Sequence, residues 1–265
     1  MKTTLLIDAD VLIYRASAAV QRDTKWDDFL WTLHADEDDA KRVFTEMLQD
    51  ILDVFPASVP FMAITSPRNF RKDVLPTYKA NRTDTRKPVC HAAMREWVMQ
   101  EYDHAVVEGM EGDDVIGIMA TNGRHKHAII VTIDKDLKQI PGAHFRYKHF
   151  IETGLPLIEK VTVEEADRFH LYQTLVGDQT DGYKGCPGIG DKRADALLEK
   201  APTWETVVAA YEKAGLTEHD ALVQARVARI LRASDYDKQT KEIRLWHPTE
   251  TPSPDRWTPS TADSM

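Results

Sequence analysis

The sequence predicts an α/β fold, with a mainly parallel central sheet flanked by helices and a helical region after it. Two patterns lead there. Up to about residue 160, short branched apolar runs alternate with stretches in which apolar residues recur every three or four positions. From about residue 162 onward only the helical spacing remains. The length of 265 residues suits one large domain or a domain with a smaller appendage. A chain of that size buries on the order of 70–75 % of its unfolded surface, so its core needs no disulfide or structural metal.

Taken in order, Thr3 to Ile7 reads as a buried first strand that ends at Asp8. Residues 37–55 read as an amphipathic helix through Val43, Phe44, Met47, Leu48, Ile51, Leu52 and Phe55. The acids Asp36 to Asp39 complement its dipole. Val59 to Ile64 reads as a second strand. Arg68 to Lys87 holds seven Lys or Arg, little apolar residue and Pro76, which predicts a partly helical, mobile connection outside the core. A helix is expected over 89–102 and a brief strand over Ala105–Val107. Glu111-Gly112-Asp113-Asp114 opens an apolar helix, and His127 to Ile133 is the clearest strand, running into Asp134-Lys135-Asp136. Helices are then expected over 163–176, 191–200, 204–213 and 218–233. The Pro-, Ser- and Thr-rich end reads as a loose tail.

Composition excludes several classes. Hydrophobic residues at 42 % and charged residues at 29 % describe an ordinary globular chain. No apolar run approaches the roughly 20 residues of a membrane span. The opening Met1 to Asp8 meets an acid too soon for a secretory signal. The two cysteines, Cys90 and Cys186, have no metal-ligand spacing and fit a reducing cytosol. The formal charge of −9 argues, taken alone, against nucleic acid.

The position of the acids points the other way. Asp8 ends the first strand; Glu111, Asp113 and Asp114 begin a helix; Asp134 and Asp136 follow the clearest strand; Asp178 and Asp181 lie in Gly177-Asp-Gln-Thr-Asp-Gly182. In open α/β sheets, the carboxyl ends of the strands line the ligand crevice. Each acid pair alone reads as a helix cap or turn. Together they make a self-repelling cluster unless cations occupy it, and oxygen donors without His or Cys select Mg²⁺ or Mn²⁺. Two such ions would serve phosphodiester hydrolysis. Next comes Gly188-Ile-Gly190-Asp-Lys192-Arg193, a Gly-x-Gly turn opening a helix whose N–H groups suit a phosphate. Beside the acid pair, it reads as a helix-hairpin-helix contact to a DNA backbone.

These residues resemble the 5′-nuclease superfamily of flap endonucleases, polymerase 5′-nuclease domains and phage 5′→3′ exonucleases. The carrying stretches are Asp8 to Arg15, Tyr78 to Arg82, Glu111 to Gly117, Asp134 to Asp136, and Gly177 through Arg193. Asn69 to Lys72, Asp181 to Tyr183, Ala228 to Arg232 and Glu242 to Trp246 look most like the stand-alone exonucleases of small-tailed phages.

The resemblance implies a PIN-like (resolvase-like) catalytic domain over 1–160 with a basic arch at about 68–88. It also implies a helical DNA-binding region with a helix-hairpin-helix motif over 161–247, and a flexible tail over 248–265. It implies that Asp8, Glu111, Asp113 and Asp114 surround a first Mg²⁺ or Mn²⁺, and that Asp134, Asp136, Asp178 and Asp181 serve a second. Lys79 and Arg82 match the basic pair that meets the scissile phosphate. Tyr14 falls where an aromatic stacks on the terminal base, with a buried core tyrosine as the alternative. Arg71, Lys72, Gly188, Gly190, Lys192 and Arg193 are expected at the DNA, with K⁺ often found at the hairpin turn.

The implied activity is 5′→3′ exonucleolysis of double-stranded DNA to short 5′-phosphorylated products, with flaps or RNA-DNA hybrids as further substrates. The implied setting is the cytoplasm, that of a host if the chain is phage-encoded, with no membrane and no obligate protein partner. A PIN-type ribonuclease and a DNA-end binding protein of weakened chemistry are the rival readings. The superfamily usually carries an Asp just after the second strand, where this chain has Ser66. Asp10, two residues beyond Asp8, is expected to face away. Setting the eight acids aside leaves 43 − 8 = 35 against 34 basic residues, so the acidic balance does not exclude DNA.

Overall fold

The computed structural model describes residues 2–82, 86–125 and 127–248. It opens with β1 (Thr3–Asp8) and α1 (Ala9–Val20), then a small antiparallel hairpin of β2 (Arg22–Lys25) and β3 (Trp31–His34). Then follow α2 (Glu37–Val54), β4 (Ser58–Ala63), the single turn α3 (Arg71–Val74), α4 (His91–Glu101) and β5 (His104–Ala105). After α5 (Gly112–Thr121) come β6 (Ala128–Thr132), β7 (Gly142–Arg146), α6 (Tyr147–Thr153) and β8 (Ile158–Val161). The rest is helical: α7 (Val163–Val176), α8 (Asp191–Lys200), α9 (Trp204–Lys213) and α10 (Glu218–Ala228), closed by a short hairpin of β9 (Tyr236–Asp237) and β10 (Glu242–Ile243).

The central sheet has the order β5-β4-β1-β6-β7-β8, parallel except for the antiparallel edge strand β8. β1 sits at its middle, and Leu5, Leu6 and Ile7 are all buried. That is why the first strand reads as a continuous apolar run: both faces are covered. On one face, Leu5, Ile7 and Met62 pack with Leu12, Phe44, Leu48 and Met94 of α1, α2 and α4. On the other, Leu6, Ala63 and Ile130 meet Val115 and Ile116 of α5. The order places the carboxyl ends of β4, β1 and β6 side by side, which brings the segments after them together.

A separate apolar cluster, with Leu175, Leu198, Val207 and Tyr211 among its members, joins α7 to α10. Side-chain caps start these helices: Thr162 with Glu165 at α7, Thr203 at α9, and Thr217 with Asp220 at α10.

Several expectations change. The helix expected over 218–233 ends at Ala228, because residues 229–232 run back into the α/β unit. There Ile230 N–H donates to Gln139 Oε1 (3.1 Å) and Leu231 N–H to Asp114 Oδ1 (3.0 Å). Gly117 makes room for that return, since a Cβ on it would stand 2.2 Å from the Leu231 carbonyl oxygen. The brief strand lies at His104–Ala105, because it pairs with β4 only as far as Ala63. The stretch after Arg68 is not all outside the core: Phe70, Arg71 and Tyr78 are buried. Of the arch expected at about 68–88, residues 83–85 lie outside the described residues, as does the expected tail apart from Pro248.

Candidate active site

Asp8 closes β1, buried, and its Oδ2 accepts the Thr132 hydroxyl at the end of β6 (3.3 Å). The same hydroxyl oxygen accepts Asp134 N–H (2.9 Å), and Asp134 Oδ1 accepts Asp136 N–H (2.8 Å). One threonine thus ties the acids of two neighbouring strands. Glu111 is the residue before α5, and the helix turns Asp113 toward Asp8 and Asp134, whose charges act on it. From the helical side, Asp178 Oδ1 accepts the N–H groups of Thr180 and Asp181 (2.7 and 3.2 Å), an Asx turn that points Asp181 into the same cleft. Glu111, Asp113, Asp134, Asp136, Asp178 and Asp181 all line that cleft, which encloses about 250 Å³.

The residues just before it form its cationic wall. Lys79 pairs with Glu111 and lies 3.5 Å from Asp181, while Arg82 pairs with Asp181. The Tyr78 hydroxyl lies 2.8 Å from Glu111 Oε2 and 3.1 Å from Asp181 Oδ2, joining the two acids from below. Lys79 holds a left-handed backbone, φ 54°, fixed by its N–H to the Asp181 carbonyl (2.7 Å). A non-glycine residue in that region is strained, and such strain gathers at functional sites.

Burial and mutual repulsion set the protonation of these acids. Asp8 is pushed up to about 7 by burial and by the charges of Asp10 and Asp134. Asp136 rises to about 7 through burial and Asp134. Burial and Asp8 drive Asp113 well above the carboxylate range, and burial also raises Asp134. Glu111 departs from this pattern: burial opposes its ionisation, yet Arg71 and Lys79 hold it down to about 2. Among the described residues, the buried oxygens Asp113 Oδ1 and Asp136 Oδ1 find no hydrogen-bond partner. Among the described residues, no three ligating side chains already stand around one point, as Lys79 and Arg82 engage Glu111 and Asp181.

Not every residue expected here reaches the cleft. Asp114 is fully buried; its oxygens take two bonds from the Arg71 guanidinium (2.8 and 2.7 Å) and the N–H groups of Glu111 and Leu231. Arg71, expected at the DNA, is buried in the wall of the cleft, 3.3 Å from Glu111, and also donates to the carbonyls of Val227 and Arg229. The helical period explains the split: consecutive residues at the start of α5 face about 100° apart, so Asp113 and Asp114 serve different surroundings.

Lys72, Gly188, Gly190, Lys192 and Arg193 are exposed. Gly188 takes φ 74°, which allows the tight turn, and its carbonyl accepts Arg193 (2.8 Å). Tyr14 is 47 % exposed on α1, so it is not a core tyrosine. Ser66 faces away from the cleft into the turn before α5, accepting Gly109 N–H (3.3 Å) and reaching Glu108 (3.4 Å).

Asp10 was expected to face away, but the helix begins at Ala9. In its first turn Asp10 stands beside Asp8 and accepts Thr65 N–H (2.8 Å). Tyr78, Thr132 and Asp10 are the participants that sequence reasoning left without a role. For Tyr78 the signal was present, an aromatic residue directly before Lys79 in a basic stretch of low apolar content.

Residues 3–167 match the family model described as 5′-3′ exonuclease, N-terminal resolvase-like domain. The chain is 33 % identical to the exodeoxyribonuclease of Enterobacteria phage T3, with 93 % of each chain covered. It is 32 % identical to the exonuclease of Escherichia phage T7, over 93 % of this chain and 94 % of that one. Among solved structures, bacteriophage T5 flap endonuclease in a complex with DNA and metal ions shares the fold, with TM-score 0.61 and 13 % identity. That match covers 86 % of this chain and 89 % of the other. With the family model spanning more than half of its length and the T3 enzyme aligned almost end to end, the chain belongs to the 5′-3′ exonuclease family.

Proposed function

We propose that this chain is a divalent-metal-dependent 5′→3′ exodeoxyribonuclease that degrades double-stranded DNA to short 5′-phosphorylated products, and that it also takes flaps and RNA-DNA hybrids. One observation carries the reading most: the acidic cleft keeps two buried carboxylate oxygens, on Asp113 and Asp136, without a partner. Buried anionic oxygens are stable only when a cation or proton meets them. The donors are all hard oxygens, which fits Mg²⁺ or Mn²⁺ and not zinc. The names of the phage T3 and T7 relatives support the same activity.

Asp8, Asp113, Asp134, Asp136, Asp178 and Asp181 would hold two ions, with Glu111 at the edge of the set. When bound, these ions supply charge neutralisation of the phosphodiester and activation of the attacking water. Lys79 and Arg82 exchange their carboxylate partners for the scissile phosphate, whose developing negative charge they stabilise. Asp114 and Arg71 lock the start of α5 and so hold Glu111 and Asp113 in place.

Residues 1–160 act as the catalytic unit. Residues 161–247 grip the duplex through a helix-hairpin-helix at Gly188 to Arg193, where exposed N–H groups at the start of α8 suit a phosphate and carbonyl oxygens of the turn would take the K⁺. Tyr14 is offered to a terminal base, a stack worth roughly 1–3 kcal/mol. The enzyme works in the cytoplasm, in that of a host if it is phage-encoded.

The test uses 5′-labelled duplex with Mg²⁺ or EDTA, for the wild type and for Asp134→Ala. Short labelled products that disappear with EDTA and fall by at least about 10²-fold in the variant are expected. Tight binding of duplex ends without cleavage would leave only the DNA-end binding reading.

A further inference from the structure

Asp10 is not among the acids that line the cleft, yet it joins three elements that position them. From the first turn of α1, its Oδ2 accepts Thr65 N–H at 2.8 Å, just past the end of β4. The Thr65 hydroxyl oxygen in turn accepts Gly112 N–H at 2.9 Å, in the first turn of α5. That N–H is one of the helix-start donors that no intrahelical carbonyl can satisfy. The packing leaves no slack: a Cβ on Gly112 would stand 3.2 Å from the Ala63 carbonyl and 3.5 Å from Asp10 Oδ2. The other carboxylate oxygen of Asp10 lies 3.8 Å from Arg95 of α4, which meets its charge. Gly112 stands between Glu111 and Asp113, so the chain Asp10–Thr65–Gly112 ends at the two acids that α5 presents to the cleft.

We propose that Asp10 is a positioning residue: acting through Thr65, it fixes the start of α5 so that Glu111 and Asp113 hold the geometry needed for a divalent ion. The proposal rests on the reading of the cleft as a metal site. What Asp10 contributes to the start of α5 is a hydrogen-bond acceptor at one place; its charge faces Arg95 and Asp8 and is not what holds Thr65. An asparagine supplies that acceptor, and an alanine does not.

Mn²⁺ binding to the full chain, followed by the electron paramagnetic resonance of free Mn²⁺, reads this without relying on turnover. Relative to wild type, Asp10→Ala and Thr65→Val are each expected to weaken Mn²⁺ roughly 10- to 100-fold, the usual cost of losing an outer partner. Asp10→Asn is expected to stay within about threefold of wild type, as the acceptor is kept. The double variant Asp10→Ala/Thr65→Val should bind no more weakly than the poorer single one, because both cut the same chain. Should Asp10→Ala fail to fold, Thr65→Val against Asp10→Asn makes the same comparison.

Asp10→Asn as weak as Asp10→Ala would overturn the proposal by showing that the charge itself matters. Asp10→Ala or Thr65→Val with wild-type affinity would also overturn it. A wild type with no saturable Mn²⁺ site and no cleavage would remove the functional reading, and the proposal with it.

Discussion

Asp113 and Asp114 are neighbours in sequence with opposite surroundings. Asp113 turns toward Asp8 and Asp134 and keeps a buried oxygen with no partner, so its charge is a burden on the metal-free fold. Asp114 meets the Arg71 guanidinium in two bonds and two backbone N–H groups besides, so its charge holds the fold together. Neutralising each should therefore shift stability in opposite directions. In EDTA at pH 8, Asp113→Asn is expected to raise the denaturation midpoint, while abolishing metal-dependent cleavage. Asp114→Ala should lower stability by about 3–5 kcal/mol, since it strands a buried guanidinium. Urea denaturation of both variants beside the wild type checks this; two shifts of the same sign would contradict the division of labour between these acids.

The segment from Phe70 to Arg82 shows how an element can be read rightly in charge and wrongly in placement. Its basic residues and Pro76 were legible, and Lys79 and Arg82 line the acidic cleft. Its burial was not legible, because Arg71 and Tyr78 are held by partners 33 to 158 positions away along the chain, including Glu111, Asp114, Asp181 and Arg229. Local pattern carries no information about such partners. The same limit explains α10, whose helical spacing continues past Ala228 although Leu231 N–H is claimed by Asp114. Asp10 was misplaced for a different reason: a strand would put it on the same face as Asp8, and the helix has in any case begun at Ala9. Legible elements were those whose apolar period decides alone, such as β1, β6 and α7.

For this segment the expected functional result concerns Lys79. Its left-handed backbone is fixed by the main-chain bond to Asp181, so removing the side chain leaves the local path intact. Lys79→Ala should remain folded with a lower thermal midpoint, as Glu111 and Asp181 lose a cation while Arg71 still meets Glu111. Its single-turnover cleavage rate should fall by about 10²–10³-fold, the usual cost of losing one electrostatic stabiliser of a transition state. Cleavage at the full rate would remove Lys79 from the chemistry.

Across the whole molecule, the densest group of carboxylates described is the six that line one cleft, so pH should act on metal binding through that cleft. Asp8 and Asp136 each sit at about 7 in the folded, metal-free chain, against an ordinary 3.8. A raised folded value means that these two groups favour folding fully below about pH 4 and that this contribution is lost as pH rises through 7. His170 acts in the opposite sense: burial lowers it to about 3, so its contribution is lost as pH falls below its ordinary 6.5. The histidine stays the same with and without a divalent ion, and so cancels when the two states are compared. The two carboxylates do not cancel, because an ion must displace their protons.

The rise in melting temperature produced by Mn²⁺ over EDTA should therefore be small at pH 6 and large at pH 8. At pH 6 the apparent Mn²⁺ affinity should be weaker by roughly tenfold for each proton displaced. Melting scans at pH 6, 7 and 8, with and without the ion, measure this directly. In Asp136→Asn, where one of the two protons is absent, the dependence should become shallower. A Mn²⁺ effect of equal size at pH 6 and pH 8 would mean that the ion binds elsewhere than among these acids.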